Sequence, residues 1–436
     1  MKRRKFIRNT STGIIAGISG APLIHSCATS KMKNGRLEVG VIGCNGMGWS
    51  NASSILKNPD VDLVAICDVD QTVREKRKED YKAYRENTPK LYSDYRELLK
   101  DGNIDAVIIG SPDHWHAKMM VDAVQAGKHV YVEKPISNTI EECNIMLDAA
   151  EKTGKVVQVG QWQRSGPHYR QAIDIVQSGV LGKIRLVKVW AYQGWMKPVP
   201  IVADSAAPAG VDYKSWLGPA PMRAFNRNRF HFNFRWFWDY AGGLMTDWGV
   251  HEIDIALYAM NAIAPKSVMA TGGKLAYPDD ASETPDTLQA LFEYDDFNML
   301  WEHATGIDSG PYGRTEGIAF IGNNGTVVVN RGGYEVIAEK GKMEPIPAFE
   351  KPKDINYLTI HTKNFVDAIK ANDPTLLNTP IKSGSVAAIN AQMGNIAYKT
   401  GTKVYWDKEK GMFKDNAAAN KLIKANYQNG WSLPLV

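Results

Sequence analysis

The chain has 436 residues, 44% hydrophobic and 23% charged, and at roughly 150 residues per domain this length predicts two or three domains. This composition excludes disordered and fibrous proteins, and the chain is long enough to bury a core without disulfide or metal staples. The net charge of +5 comes from Lys2, Arg3, Arg4, Lys5 and Arg8; the other 47 Lys and Arg equal the 47 Asp and Glu, so no nucleic-acid partner is expected.

The first thirty residues are typical of an export signal. A basic stretch up to Arg8 precedes an apolar run, Gly13 to Ile24, which is shorter than the roughly 20 residues that span a bilayer but suits a signal peptide. Arg3 to Arg8 resembles a twin-arginine signal, whose cargo crosses the membrane folded; an ordinary secretory signal is the alternative. Cys27 ends a partial lipobox, so the prediction is an exported protein, either periplasmic or lipid-anchored at the cell envelope.

From Leu37 to about Gly160, short β-branched runs alternate with helical patterns. This alternation predicts a parallel sheet with helices on both faces. The predicted strands are Leu37–Ile42, Val61–Cys67, Ile104–Ile109, His129–Val132 and Val156–Val159. The predicted helices are Ser50–Lys57, Gln71–Ala83, His116–Ala126 and Thr139–Lys152.

After Gly182, strand-like runs follow one another with few helices between them, which predicts a second, α+β domain with a large, mostly antiparallel sheet. Two late helices, Leu358–Lys370 and Ser383–Tyr398, are expected to pack back on the first domain. The predicted strands are Ile184–Tyr192, Leu288–Phe292, Met299–His303, Gly317–Ile321 and Thr326–Val329.

A glycine-rich turn, Gly43-Cys44-Asn45-Gly46-Met47-Gly48, lies between the first predicted strand and the first predicted helix. In this position backbone N–H groups hold a dinucleotide pyrophosphate at a helix N-terminus. Asn45 replaces the usual middle glycine, but Asn tolerates positive φ, and Gly46 still permits close approach. Asp68, twenty residues after Gly48, can bind ribose hydroxyls and repel a 2′-phosphate. NAD is therefore expected rather than NADP, although Arg74 could pair with such a phosphate.

Three further segments resemble motifs of the Gfo/Idh/MocA oxidoreductases, relatives of glucose–fructose oxidoreductase and inositol dehydrogenase. They are Ser111-Pro112-Asp113-His114-Trp115-His116, Glu133-Lys134-Pro135, and the glycine-pair segment from Gly242 to His251. The resemblance covers about Leu37 to Tyr398 and is to the exported branch. It implies an α/β protein with an N-terminal Rossmann doubly wound parallel sheet and a C-terminal α+β domain. The expected boundaries are 1–30 (export signal), 36–160 (NAD-binding domain), 161–400 (substrate and oligomerisation domain) and 401–436 (C-terminal tail).

Three residues are the candidate catalytic groups. Lys134 follows a buried parallel strand, at the edge where open α/β sheets bind ligands, and the resemblance implies that it polarises the substrate oxygen. Asp247, His251 and Asp254 share one helix face through their i, i+4, i+7 spacing. His251 titrates near neutrality and suits a general base for an alcohol proton. Asp247, one turn earlier, can orient His251 or bind a hydroxyl.

Two sets of binding residues follow from the motifs. Aromatic faces beside polar groups suit sugar rings, although core packing or a subunit interface is the alternative for the aromatic residues. The expected cofactor contacts are Gly43, Asn45, Gly46, Met47, Gly48, Asp68, Ser111, His116, Glu133 and Lys134. The expected substrate contacts are Arg164, His168, Trp236, Trp238 and Tyr240.

No metal site is expected. His114 and His116 have no evident third ligand, and His251-Glu252 fails the His-Glu-x-x-His pattern because Ile255 occupies the second histidine position. The four cysteines, Cys27, Cys44, Cys67 and Cys143, form no Cys-x-x-Cys pair, which argues against a disulfide scaffold or a zinc site.

The first functional hypothesis is an NAD-dependent dehydrogenase that oxidises a hydroxyl of a sugar, glycoside or polyol. The alternative is an NAD-dependent glycosidase that uses the same residues for transient oxidation, elimination of the aglycone, addition of water and return of the hydride. A non-catalytic dinucleotide- or sugar-binding lipoprotein is disfavoured by the intact Lys134, Asp247 and His251. Export into a compartment with little free NAD predicts a tightly bound cofactor. An exposed face of the second sheet predicts a homodimer or homotetramer, as the resemblance also implies.

Overall fold

The protein is described from a computed structural model, in which residues 35–436 are described. The predicted export signal and Cys27 lie outside the described residues. The first domain contains a six-stranded parallel sheet in the order β3-β2-β1-β4-β5-β6. Its strands are β1 Leu37–Ile42, β2 Val61–Cys67, β3 Lys90–Tyr92, β4 Ala106–Ile109, β5 His129–Val132 and β6 Val157–Val159. The predicted doubly wound Rossmann sheet is confirmed, and the short β3 is an addition to it.

Helices cover both faces of this sheet, and all residues of β4 and β5 are therefore buried. The helices are α1 Met47–Ile55, α2 Gln71–Tyr81, α3 Tyr95–Leu99, α4 Asp113–Gln125 and α5 Ile140–Thr153. Local capping sets their ends: Asp70 Oδ1 accepts a 2.9 Å hydrogen bond from the N–H of Thr72 at the start of α2, and Gly154 ends α5 in the left-handed conformation. The strand order reverses between β1 and β4, where open α/β sheets form a ligand crevice.

The second domain is built on a ten-stranded sheet in the order β14-β13-β12-β11-β7-β10-β9-β8-β15-β16. All of its neighbouring strands run antiparallel except β7 and β10, which confirms the predicted mostly antiparallel sheet. The strands are β7 Ile184–Gln193, β8 Ser267–Gly273, β9 Thr287–Glu293, β10 Asn298–Thr305, β11 Glu316–Gly322, β12 Gly325–Asn330, β13 Gly333–Ala338, β14 Phe349–Glu350, β15 Val404–Asp407 and β16 Met412–Phe413.

Seven helices of residues 167–421 complete the fold: α6 Pro167–Gln177, α7 Tyr213–Leu217, α8 Leu244–Asp247, α9 Gly249–Met260, α10 Tyr357–Ala371, α11 Ile381–Thr400 and α12 Ala417–Lys421. Helix α10 packs on α1, and α11 packs on α5 as well as on α9 and β8. The two late helices therefore return to the first domain, as predicted, and α11 joins the two domains. No helix within residues 35–436 is long and apolar enough to cross a membrane.

The segment predicted as a C-terminal tail belongs to the folded body. Strand β15 pairs with β8, and β16 pairs with β15, so residues 404–413 extend the second sheet. The chain then returns to the first domain, where Lys424 and Tyr427 bond to the carboxylates of Glu141 and Glu142 on α5. Hydrogen bonding of this kind between distant segments has no local signature in the sequence.

Gly48 packs tightly against the backbone of Gly43 within the glycine loop, and a substitution can test this contact. A Cβ atom on Gly48 would lie 1.8 Å from the carbonyl oxygen of Gly43. Alanine in a helix usually gains about 0.5–1 kcal/mol over glycine, whereas overpacking costs about 1–3 kcal/mol. Gly48→Ala should therefore lower the free energy of unfolding by about 1 kcal/mol or more, measured by urea denaturation. Gly102→Ala is the control, because no atom lies within 4 Å of its added Cβ; equal stability of the two variants would contradict the close packing.

Candidate active site

A cavity of about 610 Å3 lies at the edge of the first sheet where β1, β2, β4 and β5 end. Nine of the ten predicted cofactor contacts line this cavity, and Gly48 supports it from beneath through its contact with Gly43. The second domain supplies other walls, including Trp216, Phe230, Phe232 and Arg235. The nine predicted cofactor contacts that line the cavity are Gly43, Asn45, Gly46, Met47, Asp68, Ser111, His116, Glu133 and Lys134.

The glycine loop has the backbone shape that close approach to a dinucleotide requires. Gly43 adopts φ of +75°, and a Cβ on it would lie 2.5 Å from the backbone nitrogen of Ser111, so only glycine fits there. Asn45, at the usual middle-glycine position, donates from Nδ2 to Nδ1 of His231 over 3.1 Å. The other ring nitrogen of His231 lies 3.1 Å from Oδ2 of Asp70. Asn45 thus links the glycine loop to the second-domain segment that covers it.

Asp68 lies at the end of β2 and lines the cavity. Its carboxylate accepts hydrogen bonds from the N–H groups of Cys44, at 2.9 Å, and Asp70, at 3.1 Å. Burial raises the pKa of this carboxyl, and the two backbone donors oppose the rise. Arg74 donates to the backbone carbonyl of Asp68. This arrangement places a carboxylate where ribose hydroxyls bind. It also engages Arg74, which could otherwise have paired with a 2′-phosphate, and both features fit NAD.

Glu133 and His116 are predicted cofactor contacts from two different segments: Glu133 follows β5, and His116 lies in the first turn of α4. Glu133 is buried at the end of β5, where its Oε1 accepts a 2.8 Å hydrogen bond from Asn51 and its Oε2 accepts one from the N–H of Lys134. The ring nitrogens of His116 lie 2.7 and 2.8 Å from the carbonyl oxygens of Pro135 and Ser111. His116 therefore fixes the loop after β4 against the loop after β5, and both loops line the cavity.

An ion pair between the domains lies at the centre of the site. The Nζ of Lys134 donates to Oδ1 of Asp247, at 2.8 Å, and to the backbone carbonyl of the same residue, at 3.0 Å. The Nε of Arg235 lies 3.6 Å from the same carboxylate oxygen. Burial would raise the pKa of Asp247, but the charges of Lys134 and Arg235 outweigh it and hold that pKa at about 2. The lysine ammonium is thereby fixed in position at the cavity wall.

Asp113, the first residue of α4, is a site residue that the sequence reasoning did not single out. It lines the cavity and is buried. Burial raises its pKa to about 8, although the positive charges of Lys134 and Arg235 act in the opposite direction. Burial therefore favours the protonated form of Asp113 near neutral pH. It belongs to the same Ser111–His116 motif, in which the two histidines were the more conspicuous residues.

His251 is buried in α9, between the rings of Trp162 and Trp248, whose centroids lie 6.0 and 6.2 Å away. Burial, and then the charges of Lys134 and Arg331, lower its pKa well below the ordinary value of 6.5. Its Nδ1 has no hydrogen-bond partner among residues 35–436, unlike the ring nitrogens of the buried His361. The imidazole of His251 is thus held in its neutral form. Its Nδ1 is fully buried, and the residues that line the cavity include Lys134 and Asp247 but not His251.

The predicted substrate contacts lie elsewhere. Arg164 forms two 2.7 Å hydrogen bonds to the carboxylate of Asp254, and both ring nitrogens of His168 bond to protein groups. Trp236 and Tyr240 are buried in a hydrophobic cluster with Trp216. The ring of Trp238 lies 3.7 Å from the Nζ of Lys399. The residues that line the cavity do not include Arg164, His168, Trp236, Trp238 or Tyr240, so the structure does not bring this set to the cavity.

A residue from the C-terminal segment completes the cavity wall. The ring of Trp431 packs edge-on against Trp115, with centroids 4.8 Å apart, and Arg96 lies over its ring at 5.2 Å. Asn429 anchors this segment by donating to the carbonyl oxygens of Gly218 and Ala220. A lone tryptophan near the end of the sequence gave no reason to expect such a position. Across residues 35–436, no group of three or more His, Cys, Asp or Glu side chains could hold a metal ion.

Comparison with known families identifies the chain. Residues 37–161 match the Gfo/Idh/MocA model described as "Oxidoreductase family, NAD-binding Rossmann fold", and residues 165–298 match the model for the "Oxidoreductase family, C-terminal alpha/beta domain". The chain therefore belongs to the Gfo/Idh/MocA oxidoreductase family, and the cofactor of this NAD-binding oxidoreductase is NAD. The residues present fit that cofactor, since the glycine cradle and the Asp68 carboxylate have the required arrangement.

The curated relatives match over part of their length. "Uncharacterized oxidoreductase YrbE" from Bacillus subtilis is 30% identical over 246 residues, which is 56% of this chain and 60% of the relative. "Alpha-N-acetylgalactosaminidase" from Shewanella oneidensis is 34% identical over 152 residues, 34% of this chain and 33% of the relative. The chain thus spans between a third and about three fifths of the length of these two relatives.

Solved structures share the fold over most of the chain. A levoglucosan dehydrogenase in complex with NADH and L-sorbose superposes with a TM-score of 0.67 at 18% identity, covering 86% of this chain and 100% of that one. An aldose-aldose oxidoreductase from Caulobacter crescentus gives a TM-score of 0.63 at 19% identity, covering 85% of this chain and 100% of its own. At this level of identity the similarity concerns the fold.

Trp431 provides a test of how the cavity retains the dinucleotide. Trp431→Ala removes a large aromatic wall, so bound NAD should exchange with isotope-labelled NAD about tenfold faster or more. Exchange is followed by mass spectrometry of the nicotinamide released on denaturation. Leu435→Ala is the control, because this neighbouring side chain is exposed. An unchanged exchange half-life in Trp431→Ala would exclude a role for the C-terminal segment in retention.

Proposed function

We propose that the protein oxidises a hydroxyl group of a sugar, glycoside or polyol, with NAD as a tightly bound cofactor. The observation that carries this proposal is the Lys134–Asp247 ion pair at the wall of the dinucleotide cavity, with the neutral His251 in the field of the lysine charge. A fixed cation and a free base are the two groups that oxidation of an alcohol needs from the protein.

The roles of the side chains follow from their charges. Bound NAD supplies the hydride acceptor. The imidazole of His251 accepts the hydroxyl proton; its lowered pKa leaves it unprotonated at neutral pH and also weakens it as a base, so the developing charge on the substrate oxygen must be stabilised by Lys134. The ammonium of Lys134 stabilises negative charge on the substrate oxygen as the carbonyl develops. Asp247 holds Lys134 in position, and its own pKa of about 2 keeps it charged throughout the physiological range.

The class of substrate is supported by the proteins with the same fold. One of them is a levoglucosan dehydrogenase bound to L-sorbose and another is an aldose-aldose oxidoreductase. A carbohydrate hydroxyl also fits a site in which charged and polar groups alternate with the aromatic walls Trp216, Phe230 and Phe232.

A second candidate function is an NAD-dependent glycosidase. It is favoured by the similarity to "Alpha-N-acetylgalactosaminidase" and to proteins named "Glycosyl hydrolase family 109 protein". Transient oxidation acidifies the neighbouring C–H, elimination releases the aglycone, water adds to the double bond, and the returning hydride restores the alcohol. The same Lys134 and His251 serve both reactions, so the residues alone do not separate them.

Incubation with aryl glycosides distinguishes the two reactions. Aglycone release without net formation of NADH selects the glycosidase. Accumulation of NADH, or turnover only with an added carbonyl acceptor, selects the dehydrogenase. A panel of sugars, glycosides and polyols followed at the nicotinamide absorbance identifies the substrate, and absence of any turnover across that panel would overturn the proposal.

Substitution of the two central residues tests their catalytic roles. His251→Ala and Lys134→Ala should each lower kcat by about 10²- to 10⁴-fold, because proton transfer and charge stabilisation are lost separately. The NAD content of the His251→Ala protein should stay at the wild-type level, since Gly43 and Asp68 hold the dinucleotide elsewhere. Lys183→Ala, at an exposed position, serves as the control. Wild-type turnover in His251→Ala would exclude it as the base.

Retention of NAD follows from the proposed location. We propose that the protein is exported, as a periplasmic or a lipid-anchored protein, with NAD enclosed before it crosses the membrane. The periplasm holds little free NAD, so a second substrate would accept the hydride and return the cofactor to its oxidised form within the site. Purification without added cofactor should then yield close to one equivalent of nicotinamide per chain. An apo-protein that binds NAD only at high micromolar concentration would contradict the proposal.

An apolar line across the second sheet supports a homodimer or homotetramer. Met269 lies opposite Leu291 and Leu291 lies opposite Leu300. On the next strand, β7, Lys188 lies opposite Leu300, and Leu186 lies on the same face opposite Asn298. Three of these side chains, those of Leu186, Met269 and Leu291, are exposed, and a run of exposed apolar groups marks an interface. A self-complementary face of this kind suits pairing of two copies through the second domain.

Light scattering tests this assembly. The wild-type protein should have two or four times the chain mass of 48.3 kDa, and Met269→Asp should shift it toward the monomer because a charge is costly in a dry interface. Ile263→Asp is the control, since Ile263 is more exposed than Met269 (66% against 46%) and lies outside the sheet. A monodisperse wild-type monomer at micromolar concentration would refute the proposal.

A further inference from the structure

Two aromatic side chains next to the cavity are exposed although they contact each other. Trp195 is 54% exposed and Phe232 is 52% exposed. Their ring centroids lie 6.0 Å apart with an interplanar angle of 63°. Neighbouring aromatic residues, such as Phe225 and Phe230, are buried in the hydrophobic cluster of the same segment. The exposed pair therefore has a reason for its position other than core packing.

The ring of Trp195 is held in place without being buried. Its Nε1 donates a 2.6 Å hydrogen bond to Oε1 of Gln193 at the end of β7. The N–H of Gly194 donates to Asp308 at 2.9 Å, and a Cβ on Gly194 would lie 2.2 Å from the Cγ of Asp308. A ring fixed in this way loses little conformational entropy when a flat ligand stacks on it.

A continuous path of contacts connects this pair to the reactive centre. Phe232 lines the cavity, and the guanidinium of Arg235 lies 4.2 Å from its ring centroid. Arg235 in turn contacts the carboxylate of Asp247, which pairs with Lys134. Phe232 therefore borders both the cavity that contains Lys134 and the exposed ring of Trp195, so a substrate whose reacting hydroxyl is near Lys134 can extend toward this pair.

The surroundings of Trp195 match the chemistry of a sugar ring. The ring offers an apolar face, and the exposed polar side chains of Lys197 and Asp308 bond to the backbone of the adjacent Gly194. C–H faces of sugars stack on such rings while their hydroxyls bond to the flanking polar groups. A second copy of this chain is a less suitable occupant, because two rings flanked by charges make a small apolar area.

We propose that Trp195 and Phe232 form a platform for a second ring of the substrate, either the neighbouring sugar or an aromatic aglycone. The substrate is then a glycoside of at least two rings and not a free monosaccharide or polyol. This inference rests on the proposed function and narrows it to one class of carbohydrate.

The experiment compares substrates of two sizes on three variants. For the sugar that the wild type turns over, kcat/KM is measured with the methyl glycoside and with the 4-nitrophenyl glycoside or a disaccharide. In Trp195→Ala the ratio of the larger to the smaller substrate should fall about tenfold or more, and Trp195→Phe should recover most of it. Tyr405→Ala, which removes a side chain 51% exposed on β15, should leave the ratio unchanged.

The possible results distinguish failure of the platform proposal from failure of the proposed function. Turnover of both substrates with an unchanged ratio in Trp195→Ala would overturn the platform and leave the function standing. Saturation-transfer NMR with the 4-nitrophenyl glycoside provides a readout that does not depend on turnover: contacts to the aryl ring that disappear in Trp195→Ala support the platform even if no oxidation occurs. A decrease in oligomer mass in Trp195→Ala, seen by light scattering, would instead make the pair a subunit contact and overturn the proposal.

Discussion

The ion pair between Lys134 and Asp247 is the interaction on which the rest of the site depends. Lys134 follows a strand of the first sheet, and Asp247 ends a short helix of the second domain, so the pair forms only when both domains are in place. Removing one partner of this partly buried pair leaves the other charge without its main partner, which is unfavourable. Arg235 places a second positive charge beside the same carboxylate of Asp247. The reactive centre therefore forms only when the two domains are in contact.

The same arrangement supplies several walls of the dinucleotide cavity. Asn45 departs from the usual glycine pattern and uses its side chain to bind His231 of the covering segment. Trp431 reaches the cavity from the far end of the chain and packs on Trp115. Walls from three separate segments suit the proposal that the cofactor stays with the protein, and retained NAD would also stabilise the folded state through mass action. The proposals of export and of retention are thus compatible.

The sequence predicted the fold well because its signals were local. The bounds of β1, β2 and β5 coincide with the predicted strands, since each is a short β-branched run between turns. The glycine loop and Asp68 were found through a motif with a physical reason for each position. The aromatic substrate contacts were predicted from their clustering and from their position next to the segment that contains Asp247 and His251. Neither signal distinguishes a pocket wall from a core, and Tyr240 proved to be buried. Trp431 had no signal, because its partners lie more than 200 residues away.

The central claim is that the charge of Lys134, fixed by Asp247, lies close enough to His251 to help keep its imidazole neutral. NMR titration of 15N-histidine-labelled protein tests it directly, with the His251 signal assigned from its loss in His251→Gln. The account predicts that His251 stays unprotonated through the range around 6.5 in which an ordinary histidine titrates, and that Lys134→Met raises its pKa. A His251 that titrates near 6.5 and does not respond to Lys134→Met would contradict the account.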